Sequence, residues 1–330
     1  MLKGSSKARV RRWLPLAISA AAVVAVLSVA DLDAFRGLAS RAQWNRIPLL
    51  TLLLVTIVIA VGWRWRTLML KALAIKRSVI VTALGLGGNQ ILPLRGGDAL
   101  RVVLSARGQE SPSLHASVSA LAMEKVFDLI AVAAFGLAST AAVFAPAGES
   151  QLNVVPIAVS ILTLASAALL TARSGLLIKA FRHIARQMHL PARLYKHLLR
   201  PLHHLRESAT PSRVVVLLIE TAVIWLVLYV LAYLAIAQLV GMTLGVADAM
   251  VLLFAAALGL AIPAAPSGIG TFHAAIVSAF VVLGKPASDG LVLAVAIHGV
   301  FFIGFCATGL AALAVASHGP RPLRVRGENA

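Results

Sequence analysis

The sequence predicts an all-α integral membrane protein with about six full transmembrane helices and two broken or re-entrant helical hairpins, six to eight spans in all. Hydrophobic residue types make up 60% of the 330 residues and charged types only 13%, a balance outside that of water-soluble domains. The apolar residues fall into runs near or above the ~20 residues that cross hydrocarbon. The Lys and Arg residues behind the formal charge of +18 lie between those runs and form no folded basic domain. The charge therefore reads as membrane topology, and no nucleic-acid partner is expected. The chain, 1–330, reads as a single polytopic domain.

A basic start (Lys3, Lys7, Arg9, Arg11, Arg12) precedes an apolar stretch at 14–30. The stretch is long for a secretory signal core and reads as a retained first helix; cleavage after Ala30 is the other reading, and it leaves the downstream topology unchanged. A second span follows at 47–63, then a basic connection with Arg64, Arg66, Lys71, Lys76 and Arg77. The next apolar segment, 79–94, contains Gly85, Gly87, Gly88, Asn89 and Pro93, which break helix propensity at a depth where irregular backbone must be shielded by protein. Spans at 118–144 and 152–172 come next, joined by a connection, 145–151, without Lys or Arg.

Residues 173–213 form a basic loop rich in histidine (His183, His189, His197, His203, His204), with Leu177, Phe181, Ile184 and Met188 on one helical face. This reads as an interfacial amphipathic helix attracted to anionic headgroups; with no cysteine and a single carboxylate, Glu207, beside the histidines, a metal site is not expected. A span at 214–240 leads into 247–283, which is interrupted by Pro263, Pro266, Gly268 and Gly270, and the last span is 290–317. Basic clusters at the N-terminus, 64–77, 173–213 and the C-terminus (Arg321, Arg324, Arg326) share one side only if 79–94 enters and leaves on that side. That side is expected to be the cytoplasm, with both termini there. The segment 247–283 is then a re-entrant hairpin from the far side or two short spans. Broken helices that meet near the midplane are a transporter arrangement. Cys306 is the only cysteine, so no intrachain disulfide forms.

Three clusters carry the candidate chemistry. The first is Asn89, Pro93, Arg95, Gly97, Asp98 and Arg101. Arginine forks suit phosphate, glycine lets the backbone approach a headgroup, and the three-residue spacing of Arg95, Asp98 and Arg101 puts them on one helical face. The other reading is a loop of topological arginines. The second is Glu124, Lys125 and Asp128 inside an apolar run, where each charge costs ~2.5–3.5 kcal/mol at mid-bilayer. Lys125 can pair with Asp128 at i,i+3, and the cluster reads either as the lining of a polar path or as an ion-pair lock with Arg95 or Arg101. The third is Pro266, Gly268, Gly270 and His273 at the start of a half-helix, whose free N–H groups suit an anion. Helix packing through the glycines is the alternative there, and His298 reads as structural. No nucleophile elbow, Walker loop, zincin or paired-cysteine motif occurs, so no catalytic residue, metal or cofactor is expected, and no motif sets an oligomeric state.

These clusters together resemble the lysylphosphatidylglycerol synthase transmembrane region family, also described as flippase-like domain proteins. Asn89, Pro93, Arg95, Gly97 and Arg101 match its first motif, with Asp98 for the usual Glu. Glu124, Lys125 and Asp128 match the second, with lysine for arginine, and Pro266, Gly268 and Gly270 match the late motif, with His273 at its acidic position. The resemblance implies a bacterial inner-membrane protein that flips or binds an envelope lipid, anionic, glycosylated or hopanoid-type. With no soluble synthase domain up to Ala330, the chain is expected not to make lysyl-lipid itself. An accessory or intramembrane enzyme subunit of envelope lipid biosynthesis, working beside its enzymes, and a membrane scaffold are the other expectations.

Overall fold

The computed structural model describes residues 24, 41–107, 111–143, 176–187, 195, 210–262 and 266–318. Every secondary-structure element among them is helical. The helices are α1 (Ile47–Leu68), α2 (Ile75–Ile91), α3 (Gly96–Ser105), α4 (Leu114–Val143), α5 (Leu176–Gln187), α6 (Pro211–Leu239), α7 (Val246–Ala261), α8 (Thr271–Val282) and α9 (Ala287–Ser317). Tight 3₁₀ turns at Trp44–Arg46, Pro93–Arg95 and Pro266–Gly268 precede α1, α3 and α8, and α6 widens into a π-helical stretch at Val223–Tyr229. The chain is a multi-pass membrane protein: α1, α6 and α9 have the length and apolar composition of spans. The expected helices at 14–30 and 152–172, the C-terminal arginines and Pro263 lie outside the described residues.

Hydrogen bonds and close crossings fix the direction of each helix. Where α1 ends and α2 begins, Ser78 Oγ donates to the Gly62 carbonyl at 2.7 Å and Arg66 Nε to the Leu73 carbonyl at 3.0 Å. We call this face proximal and the opposite one distal. At the other end of α1, Gln43 N donates to the Leu239 carbonyl at 2.8 Å, so α6 runs from proximal to distal beside it. Lys71 between α1 and α2, Lys76 and Arg77 in the first turn of α2, Arg107 after α3 and Arg213 at the start of α6 all fall at the proximal face, whereas the Gly241–Gly245 connection after α6 is distal and carries no basic residue. Within the expected loop 173–213, Leu176–Gln187 is helical, and Pro211 stands in the first turn of α6, where a missing N–H costs nothing.

The two glycine- and proline-rich segments are re-entrant hairpins. Arg77 Nη2 at the start of α2 donates to the Leu104 carbonyl at 3.2 Å and to the Arg107 carbonyl, so both limbs of the first hairpin end at the proximal face. At 10 residues, α3 reaches about 15 Å, half of the hydrocarbon thickness. The turn is made by extended Leu92 and left-handed Leu94 and Arg95 (φ 54° and 55°). The hairpin is thus longer than the expected 79–94, because α3 is its returning limb. In the second hairpin, Asp248 at the start of α7 and Lys285 just after α8 pair at 3.2 Å. Its base is therefore closed at the distal face.

Helix α9 measures their depth. A Cβ on Gly87 would sit 2.8 Å from the Phe305 carbonyl, and one on Gly309 would sit 3.3 Å from the Ala83 carbonyl, so α2 crosses the second half of α9 through small residues. Helix α8 lies along its first half, where Gly290 faces Phe280 and His298 stacks on His273. The two tips meet beside the middle of α9, where Ser267 Oγ donates to Gln90 Oε1 at 2.8 Å. Fully buried Ile57, Ile236, Leu252, Ile276 and Leu293 fill the spaces between helices.

Candidate functional site

The site starts at the tip of the first hairpin. Gly97 must lack a side chain, because a Cβ there would collide with the Gly85 carbonyl and with Asn89 N across the hairpin. This close approach lets Asn89 fold its amide onto Asp98: Asn89 Nδ2 donates to Asp98 Oδ1 at 2.9 Å, and Asp98 N donates to Asn89 Oδ1 at 3.0 Å. Pro93 opens the turn. The expectation that Arg95, Asp98 and Arg101 share one helical face fails at Arg95, which precedes α3 in a left-handed conformation. Its side chain is 58% exposed, with Nε 3.8 Å from Asp98 Oδ2. Left-handed backbone at a non-glycine residue costs on the order of 1–3 kcal/mol.

Arg101 turns the other way and is 2% exposed. Its guanidinium carbon lies 4.1 Å above the Trp65 ring, and its Nη2 donates to Glu124 Oε1. Trp65 is itself held by an Nε1 hydrogen bond to Ser105 Oγ at 3.0 Å. Glu124, on α4, is 3% exposed. The expected Lys125–Asp128 pair does not form: Lys125 Nζ reaches back to Asp98 Oδ2 at 3.0 Å and to Glu124 Oε1 at 3.7 Å. Asp128 is taken instead by Arg64 Nη1 at 2.9 Å, and it also accepts Trp225 Nε1 at 3.0 Å. The π-helical widening of α6 carries Trp225, a device often found at functional positions.

Arg64, Trp65 and Trp225 therefore belong to the site although the sequence reading did not include them. A signal was present: Arg64 falls on the buried stripe of α1 with Ile57, Val61, Trp65 and Leu68, where a basic residue counted only for topology should not be. Arg64 Nη1 also donates to Thr221 Oγ1 at 3.2 Å, and three residues along α1 Thr67 Oγ1 donates to Glu220 Oε1 at 2.8 Å. A ladder of polar side chains thus runs from Glu220, near the proximal end of α1, through Arg64, Asp128, Glu124, Arg101, Lys125 and Asp98 to the tip.

Within the core of the ladder two arginines, Arg64 and Arg101, face two carboxylates, Glu124 and Asp128, so the charges balance. The hydrogen-bonding capacity does not. Arg64 Nε, Arg101 Nε, Glu124 Oε2, Glu220 Oε2 and Thr82 Oγ1 are buried without a hydrogen-bond partner, the closest cation to Glu124 Oε2 being Arg64 Nη2 at 3.9 Å. Buried polar groups are nearly always satisfied, and such a concentration of exceptions is a feature of polar sites that take a ligand or solvent.

The third cluster stands on the second tip. Ser267 (φ 59°), Gly268 (φ 69°) and Gly270 (φ 92°) are left-handed, and Pro266 begins the turn. The glycines serve the turn itself: a Cβ on Gly268 would also lie 2.7 Å from Leu260 Cδ2. His273 does not reach the charged ladder; its ring stacks on His298 with centroids 4.9 Å apart and 22° between planes. His298 is thus the partner of the sequence-predicted residue. No group of three His, Cys, Asp or Glu side chains suited to a metal occurs among the described residues.

A family model described as Lysylphosphatidylglycerol synthase TM region matches residues 12–309 of the chain. No curated protein and no solved structure matches the chain.

Proposed function

We propose, from the premise that this chain belongs to the Lysylphosphatidylglycerol synthase TM region family, that it binds an envelope lipid by its polar headgroup inside the membrane and moves it between leaflets, with no chemistry of its own. The family makes it a membrane protein of lipid-related processes. The finer reading is carried by one observation: the ladder of buried charged and orphaned polar groups that ends at the meeting point of two opposed re-entrant tips. Arg95 offers a paired-donor fork to a phosphate or other anionic headgroup. Glu124 and Asp128 keep Arg64 and Arg101 in place, and Lys125 and Asp98 join this core to the tip. The Gln90–Ser267 hydrogen bond is the contact that a passing headgroup would exchange for its own, so the two tips act as the gate. The proximal face, which gathers the basic connections, is the cytoplasmic side of the inner membrane.

The alternative with a specific observation behind it is a lock: Arg101–Glu124 and Arg64–Asp128 are closed pairs, as a scaffold for other envelope proteins would need. Native mass spectrometry of the detergent-purified protein, with lipidomics of what it retains, separates the two. Translocation predicts selective enrichment of one lipid class in the wild type and its loss in an Arg95→Ala, Glu124→Ala double variant. Bulk membrane lipid in both proteins would favour the lock.

A further inference from the structure

We infer a second headgroup site at the distal face, specific for a phosphate ester with a neighbouring amine and occupied by a zwitterionic phospholipid. A cavity of about 350 Å³ opens there between the residues preceding α1, the connection from α6 to α7, and the connection from α8 to α9. Its volume falls in the range of small-ligand pockets. Arg41, Lys285 and Asp289 line its polar part, and Met242, Phe280 and Val292 line its apolar part. The two cations suit a phosphate and the Asp289 carboxylate suits an ammonium group. The walls carry two positive charges and one negative, and Asp248, just outside them and paired with Lys285 at 3.2 Å, brings the local balance to two of each. A headgroup of no net charge matches them better than a polyanion does. The apolar part selects a lipid over a soluble phosphate ester, since it gives the first methylenes below the headgroup a surface to cover.

The location adds a consequence. Asp248 accepts the Gly245 backbone N–H at 3.1 Å as the cap of α7 and pairs with Lys285, which follows α8. This pair closes the base of the second hairpin, whose tip meets the first. A phosphate drawn to Lys285 competes with Asp248, so the distal ligand bears on the same hairpin that gates the proximal ladder. The site is the distal counterpart of Arg95 and rests on the lipid reading given above.

The test reads occupancy instead of transport, so that its failure and the failure of the translocase reading are distinguishable. The full chain in nanodiscs is irradiated with phosphatidylethanolamine that carries a diazirine near its headgroup, and adducts are mapped by peptide mass spectrometry. Adducts are expected on peptides that contain Met242 or Lys285–Val292. They should fall about tenfold in Arg41→Ala and in Asp289→Asn, each loss of a charge-assisted contact being equivalent to about that factor. Arg95→Ala should leave them unchanged, and size-exclusion profiles of all three variants confirm that each is folded. Equal labelling by the phosphatidylglycerol analogue would overturn the assignment to a zwitterion, and displacement by stoichiometric free phosphoethanolamine would overturn the assignment to a lipid. Adducts insensitive to both distal substitutions would remove the site altogether.

Discussion

Truncation of Glu124 to alanine isolates the energetic centre of the site. Arg101 is 2% exposed and has one carboxylate partner, Glu124; its remaining support is the Trp65 ring at 4.1 Å. Arg64 keeps Asp128 at 2.9 Å and Thr221 at 3.2 Å. The loss therefore falls on Arg101, whose charge is left buried and unpaired, and removal of one partner of a buried pair costs about 3–5 kcal/mol. Glu124→Gln retains an acceptor for Arg101 but removes the charge, and should cost about 1–3 kcal/mol. In a cycle with Arg101→Ala, the double variant should recover on the order of 1–3 kcal/mol relative to the sum of the singles. The assay is reversible unfolding in mixed micelles followed by tryptophan fluorescence. A Glu124→Ala protein within about 1 kcal/mol of wild type, or singles that simply add, would refute the buried pairing.

Arg95→Ala should leave stability within about 1 kcal/mol of wild type, because its pairing with Asp98 is long and its own side chain is exposed, yet lose the retained lipid; matched unfolding curves and lipidomics check both halves. Gly97→Ala should cost about 3 kcal/mol or more, the clash being with backbone that cannot give way, and should appear as loss of the folded, monodisperse protein in detergent. Trp225→Phe removes the 3.0 Å bond to Asp128 while keeping most of the ring, and a loss of about 1–2 kcal/mol is expected in the same unfolding assay. Single cysteines introduced at Ala74 and Gly284 in a Cys306→Ser background should label from opposite sides of sealed vesicles with an impermeant maleimide; labelling from one side would contradict the opposed hairpins.

Much of this architecture was legible because it is written in local chemistry. Glycine and proline in an apolar run cannot make a regular span, and the charge of the connections then forces 79–94 to return to its own side; the Arg77 clamp at the hairpin base is the physical form of that inference. Individual pairings were not legible. Lys125 has Asp128 in reach along its own helix, but Asp98 on the returning limb of the hairpin wins because Asn89 pre-orients it. Asp128 is then free to meet Arg64, which the sequence offered only as a topological arginine. The shift of Arg95 off the helical face has the same origin: the turn needs left-handed residues at Leu94 and Arg95, and no local pattern at those residues announces it. The stacking of His273 on His298 joins positions 25 apart in sequence on different helices, beyond what spacing within one helix conveys.

The central claim is that a lipid headgroup passes the meeting point of the two tips, and its most direct test is lipid movement in vesicles. The purified protein is reconstituted with trace fluorescent phospholipids of several headgroup classes, and an impermeant reductant quenches the outer leaflet. Wild-type protein should expose the inner-leaflet pool of one class well beyond protein-free vesicles, and Arg95→Ala and Glu124→Gln should slow it. Wild-type traces that match protein-free vesicles for every class would contradict the account.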